Sequence, residues 1–267
     1  MRKVRYTAAA TALTFFTTVF IASYAFGLTG DEVAMEVEKA RRGFSDSKSK
    51  LVMTLINASG AKSLRKMSNK MLEKPKASKT EGDKSIIVFL SPADVKGTGL
   101  LTYERLDRED DQWLYLPALR RIKRIASKNK SGSFMGSEFA YEDISAQSVE
   151  KYTYGDAVNE ETVNGIACYK YERYPKSKYS GYTKQVVWAD KENFITIKTD
   201  YYDRKRELLK TAIFSDYEKT KGVWRIGKIH MKNHQNKKET ILEWQEDHIQ
   251  TGLKERDFTK RMLSRQR

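Results

Sequence analysis

The sequence predicts a mainly β (α+β) fold, in which an antiparallel sheet curls into a barrel or part-barrel behind one opening helix. Three observations predict it. Seven strand-like runs follow one another at roughly hairpin spacing between Thr153 and His248. In-and-out alternation is explicit where Ile195, Ile197, Thr199 and Tyr201 interleave with Thr196, Lys198, Asp200 and Tyr202. One amphipathic helix precedes all the strands. A meander of this kind is antiparallel, and its strand number exceeds what a small flat sheet holds.

In chain order, Met1 to Ala25 reads as a secretory signal peptide. Arg2, Lys3 and Arg5 come first, an apolar run spans Ala8 to Ala22, and Ser23 and Ala25 fit a small-residue cleavage site, with Gly27 as the other candidate. A retained anchor is the alternative, although Thr11, Thr14, Thr17 and Thr18 dilute the run and it is short for a bilayer span. The lone cysteine, Cys168, leaves no lipid attachment point near the cleavage site and no internal disulfide. Removal of the signal takes the formal charge from +15 to +12. After export, that charge faces anionic head groups, acidic polysaccharide or an acidic partner rather than nucleic acid. Residues 26–267 show no linker or internal repeat and read as a single domain.

Thr29 to Phe44 is the helix. Thr29 and Glu32 have capping-box spacing, and Val33, Val37, Ala40 and Phe44 share a face that needs a sheet to cover. Strands follow at Leu51–Ile56, Leu64–Leu72, Ser85–Leu90 and Leu100–Arg105, with Ser91–Gly97 as a turn. The second-half strands are Thr153–Ala157, Ile166–Tyr174, Thr183–Ala189, Ile195–Tyr202, Leu208–Tyr217, Val223–Met231 and Thr240–His248. Asn164-Gly165 is a strong turn dipeptide between the first two of these. Asp257 to Leu263 reads as a short closing helix with Phe258, Met262 and Leu263 packed down.

The densest stretch runs from Asp111 to Ser145. Gln112 to Leu116 alternates about Trp113 and Tyr115, and Pro117 ends the ladder because it has no N–H to donate. Arg120, Arg121, Lys123 and Arg124 then place cations on both sides of the backbone in either strand or helix. The loop that follows carries Phe134 and Met135 between Gly132 and Gly136, with Phe139 and Tyr141 at period two. One reading is an apolar surface framed by positive charge, suited to an acyl-bearing anionic amphiphile or an acidic partner. The other is two core strands joined by a solvated basic loop, with the arginines paired to Glu142 and Asp143.

Catalytic patterns are weak. His230 and His234 have helical metal spacing but lie in a strand-like run and its turn, with no HExxH around them. Phe134 stands where a nucleophile elbow needs serine. Cys168 sits in a tyrosine-rich strand and reads as a small core residue. The reading is therefore of a protein that is not an enzyme and has no cofactor or metal.

The run from Trp113 to Ile144 resembles the signature segment of the bacterial outer-membrane lipoprotein-sorting protein family, which is similar to the periplasmic carriers LolA and LolB. Trp113, Tyr115, Leu116, Pro117, Arg120, Arg121, Arg124, Ile125, Phe134, Met135, Gly136, Ser137, Phe139, Tyr141, Glu142 and Asp143 carry the resemblance. Val186–Phe194, Tyr201–Phe214 and Phe258–Leu263 resemble later blocks of the same family. The resemblance implies a curved antiparallel sheet forming an incomplete β-barrel, closed on its concave side by helices, around a cavity for acyl chains. It also implies a periplasmic monomer that carries a lipid, glycolipid or lipoprotein. Its membrane partner would be an exporter of the resistance-nodulation-division (RND) type, reached through transient membrane contact. On that footing Trp113, Tyr115, Leu116, Phe134, Met135 and Phe139 are the expected cavity wall or rim. Arg120, Arg121 and Arg124 are expected to meet a head group or the partner. A docking subunit that holds no lipid, and an outer-membrane barrel, are the competing classes.

Overall fold

A computed structural model of the chain describes residues 27–74 and 78–265. Residues 1–25, expected from the sequence to be an export signal cleaved near Ala25, lie outside the described residues. Helix α1 (Gly30–Arg41) starts where the capping spacing placed it. The Thr29 N–H donates to Glu32 Oε2 at 2.8 Å, satisfying a backbone donor beside the helix start. The helix ends at Arg41 rather than at Phe44 because Gly43 turns with φ +98°, a conformation open to a residue without Cβ.

Strands β1 (Asp46–Ile56), β2 (Lys62–Leu72), β3 (Glu81–Ser91), β4 (Gly99–Arg105), β5 (Asp111–Leu116) and β6 (Arg121–Ile125) each pair with the next. A strap of residues 126–148, holding α2 (Tyr141–Ile144), leads to β7 (Tyr152–Tyr154), β8 (Asn159–Val163), β9 (Ile166–Pro175) and β10 (Tyr182–Asp190). Then come β11 (Thr196–Asp203), β12 (Leu208–Ser215), β13 (Glu218–Thr220), β14 (Val223–Arg225), β15 (Lys228–Asn233) and β16 (Glu239–Ile249), followed by α3 (Lys260–Arg265).

Fourteen strands form one antiparallel sheet in the order β6-β5-β4-β3-β2-β1-β16-β15-β12-β11-β10-β9-β7, with β8 also on β9 and β13-β14 as a separate hairpin. Pairing of β1 with β16 joins the two halves of the chain, with Met53 opposite Leu242. The edges β6 and β7 stay unpaired with each other, so the sheet is open. It is also strongly curved. Strands β5 and β10 stand nine steps apart in the sheet, roughly 43 Å if flat at about 4.8 Å per step. Yet α2, about 6 Å long at 1.5 Å per residue, bonds to both: Gln112 donates to Tyr141 O at 3.0 Å, and the Tyr182 hydroxyl to Asp143 at 2.9 Å.

Both faces are covered. Leu51, Met53, Met67, Leu100, Leu114, Met231 and Leu242 share the concave core with Phe134 and Phe139 of the strap. Ile86, Val88 and Leu101 face the other way, under Phe258 and Leu263 of the C-terminal segment. The main differences from the sequence reading are these. The run Val223–Met231 breaks before β15 because Gly227 passes so close to Asp216 O that a Cβ would sit 2.3 Å from it; β14 turns off to pair with β13. Strand β8 was unread because Asn-Glu-Glu-Thr-Val has no alternation; the Asn164-Gly165 turn pairs it with β9. The basic run Arg121–Ile125 is an edge strand.

Candidate functional site

Between the concave face, α1 and the strap lies a cavity of about 350 Å³, within the range of small-molecule sites. Val37 and Ala40 of α1 form one wall. Phe139 and Ile144 of the strap form another, and Ile87, Phe214, Ile229 and Leu242 form the sheet floor. The 3.6-residue period of α1 and the two-residue period of the strands turn these apolar side chains toward one space. Helix α1 seats Val33 and Ala34 against Tyr171, Val187 and Ala189 of β9 and β10. Gly30 makes that approach possible, since a Cβ there would meet Gly155 O at 2.6 Å.

Polar anchors hold the strap over the sheet. Arg65 of β2 donates to Met135 O, and Thr240 Oγ1 of β16 accepts from the Glu138 N–H at 3.0 Å. Lys210 of β12 donates to Glu138 O at 2.8 Å and pairs with Asp143 at 2.6 Å. Ser180 Oγ and the Gly181 N–H donate to Glu142 at 2.7 and 2.8 Å. Burial, and then Asp143 next to it, raise the Glu142 carboxyl above its ordinary value. Burial raises the Tyr182 hydroxyl well above its ordinary value, Asp143 adding to it. A buried charge is tolerated when paired and hydrogen-bonded, and the strap meets that condition from several strands at once.

A second charged cluster seats the C-terminal end of α1. Arg42 and Lys74 each lie 3.1 Å from Glu38, whose carboxylate also accepts from the Val149 N–H at 2.8 Å. Burial would raise Glu38, but Arg41, that N–H, Arg42 and Lys74 together hold it below the usual carboxylate value.

The residues singled out in the sequence separate onto two faces. Phe139 lines the cavity. Phe134, Met135 and Leu116 pack in the concave core around it, Phe134 fully buried with its ring 5.7 Å from Phe89 and 5.6 Å from Tyr141. Trp113 and Tyr115 are on the opposite face, because β5 alternates and Leu114 and Leu116 take the concave side. Trp113 packs edge-on against Tyr103 at 5.1 Å with Lys260 of α3 over its ring at 4.5 Å. Arg120 and Arg121 are exposed at the sheet edge, whereas Arg124 lies 2.7 Å from Asp111. Glu142 and Asp143 are taken by Ser180, Gly181 and Lys210, so the strap acids do not pair with those arginines.

Sequence reasoning missed Arg41, Arg173 and Arg225, which also line the cavity. His230 meets Glu239 at 2.7 Å and His234 meets Thr211 at 2.8 Å. Among the described residues no group of three His, Cys, Asp or Glu side chains is placed to hold a metal ion. Burial raises the Cys168 thiol, the opposite of what a nucleophile needs.

A LolA superfamily protein from Nitrosomonas europaea shares the fold at a TM-score of 0.70 and 19% identity, over 88% of this chain and 99% of that one. Similarity is greater to an outer membrane lipoprotein-sorting protein domain from Vibrio parahaemolyticus, at 45% identity and TM-score 0.83 over 88% of this chain and 98% of that one. A DUF1329 family protein from Desulfovibrio piger matches at 33% identity and TM-score 0.81, over 88% and 97%. The chain belongs to this outer-membrane lipoprotein-sorting protein family. A family model described as an uncharacterized protein matches residues 81–265. No curated protein sequence matches the chain.

Proposed function

We propose that this protein is a non-enzymatic periplasmic carrier, a single domain over residues 26–267. It takes the acyl chain of a lipid, glycolipid or lipoprotein into the cavity and passes it to or from a membrane partner of the RND exporter type. The observation that carries this reading is the apolar cavity of about 350 Å³ under the strap, walled by Phe139 and floored by Ile87, Ile229 and Leu242. Transfer of hydrocarbon from water is worth about 0.8 kcal/mol per methylene, so a sixteen-carbon chain gains on the order of ten kcal/mol before ordering costs. Affinity of that size suits a shuttle, with release driven by a competing membrane or partner. Membership of the lipoprotein-sorting family and the apolar run at 8–22 support an exported carrier.

Exposed Arg121 and Lys123 on edge strand β6, with exposed Leu119 and Arg120 just before it, form the contact surface for the anionic membrane or acidic partner. The carrier acts as a monomer, since an open edge studded with cations resists pairing with a second copy. Native mass spectrometry on protein taken from its own periplasm without detergent tests the reading. A stoichiometric acyl-bearing ligand is expected, and Ile229→Glu, with its fold verified by circular dichroism, should lose it. Empty protein that takes up no membrane lipid would move the function to a docking subunit without cargo.

A further inference from the structure

Every acid facing the cavity is already balanced by a base. Glu38 and Asp83 share Arg42 and Lys74, and Asp143 has Lys210. Among the bases facing it, Arg225 is held by Asp247 at 2.6 Å. Arg41 and Arg173 form no ion pair among the described residues, although Arg41 is near enough to Glu38 to help hold that carboxyl down. Among the described residues Arg173 makes only neutral contacts: Nε to Gln185 Oε1 at 2.8 Å, Nη2 to Gln147 Oε1 at 3.5 Å, and its guanidinium over the Tyr152 ring at 4.3 Å. Arg41 Nη2 is buried with no hydrogen-bond partner among the described residues. Asn69 Oδ1 and Asp83 Oδ2, in the same cavity wall, are also buried without partners, but both are acceptors and add nothing to an anion site.

Both guanidinium groups line the cavity together with Tyr171. Burial raises the Tyr171 hydroxyl, and Arg173 and Arg41 both act against that rise. Both guanidinium groups are half-buried at the same apolar space; Arg173 has no ion-pair partner among the described residues, and Arg41 keeps one buried nitrogen without a hydrogen-bond partner.

We propose that the cargo is an anionic amphiphile whose carboxylate or phosphate sits inside the cavity against Arg41 and Arg173, with the acyl chain along Ile87, Ile229 and Leu242. The inference deepens the carrier reading and rests on it. Two guanidinium forks suit a planar carboxylate or a phosphate, each with several donors. The interior site supplies the counter-charge of the head group, which leaves Arg120 and Arg121 at the β6 edge free for a surface contact. Neutral lipids of equal chain length lose the ionic contribution and are selected against.

The test compares hexadecanoic acid, hexadecyl phosphate and hexadecanol on delipidated exported protein by calorimetric titration, alongside Arg41→Met, Arg173→Met and the double variant. Circular dichroism and a thermal melt confirm that each variant is folded. The acid and the phosphate are expected to bind at least about ten-fold more tightly than the alcohol, the scale of one charge-assisted hydrogen bond. The double variant should abolish that preference and leave hexadecanol affinity within about two-fold. Equal binding of all three compounds, unchanged in the variants, overturns the inference and leaves the carrier standing. Competition by inorganic phosphate alone, at the concentration at which hexadecyl phosphate acts, also overturns it, since the site then takes free anions. Binding of none of the three defeats the carrier reading itself.

Discussion

Lys210 Nζ lies 2.6 Å from Asp143 Oδ2, and the two side chains are 4% and 5% exposed. This pair ties the middle of the sheet to the strap that carries Phe134 and Phe139. Removing one partner leaves the other charge buried alone, which costs about 3–5 kcal/mol. Lys210→Met is therefore expected to lower unfolding stability by about that amount in urea titrations. The double variant Lys210→Met/Asp143→Asn should recover a large part of the loss. If the single and double variants are equally unstable, the ion pair is not what holds the strap.

The strap over the concave side of β5 and the far face of β5 make separable predictions. Phe139→Ala opens the cavity wall, whereas Trp113→Ala strips the contact with Tyr103 and Lys260 on the far face. Each should cost about 3 kcal/mol or more of stability. Only Phe139→Ala should change the mass or amount of lipid retained in native mass spectra. A Trp113→Ala protein that folds yet holds no lipid would place Trp113 in the binding function despite its position.

The sheet was legible because its strands alternate and its turns carry Asn-Gly and similar signals. The position of α1 was legible from Thr29, Glu32 and one apolar stripe. The site was legible only in part, for a physical reason. In β5 both sets of alternating side chains are apolar, since the strap covers one face and α3 the other. Alternation then separates Trp113 and Tyr115 from Leu114 and Leu116 without saying which set meets the cavity. Arg41 and Arg173 carry no local signal either. Each is one cation in an amphipathic element, and only tertiary packing brings the two to one cavity.

Acid should loosen the β4-β5-β6 edge through Asp111. The Arg108 guanidinium beside it, then Arg105 and Arg124, hold its carboxyl down at about 2 against the pull of burial. A folded-state value below that of the unfolded chain means the unfolded state binds more protons in between. Stability from Asp111 is therefore complete above about pH 4 and lost as pH falls toward 2. Exposed Arg108 and Arg124 screen the pair, so the contribution is on the order of 1–2 kcal/mol. Asp111→Asn should be less stable at pH 7 and show a flatter dependence between pH 4 and 2 in denaturant titrations. A variant whose acid limb is as steep as that of the parent would assign the loss to other carboxylates.

The β6 edge offers a charge test that leaves the fold alone. Arg120 and Arg121 are exposed and have no ion-pair partner among the described residues, unlike Arg124. Arg120→Glu/Arg121→Glu should therefore change unfolding stability by less than about 0.5 kcal/mol. Basic residues near an anionic bilayer contribute about 1 kcal/mol each, and reversal replaces attraction with repulsion. Flotation with phosphatidylserine-containing vesicles should fall by at least about ten-fold at low salt, and the difference should shrink as salt shortens the screening length. Retained cargo should stay unchanged, because the strip lies outside the cavity. Loss of cargo with unchanged vesicle binding would reverse these assignments, making the strip part of the lipid site and leaving membrane contact to another surface.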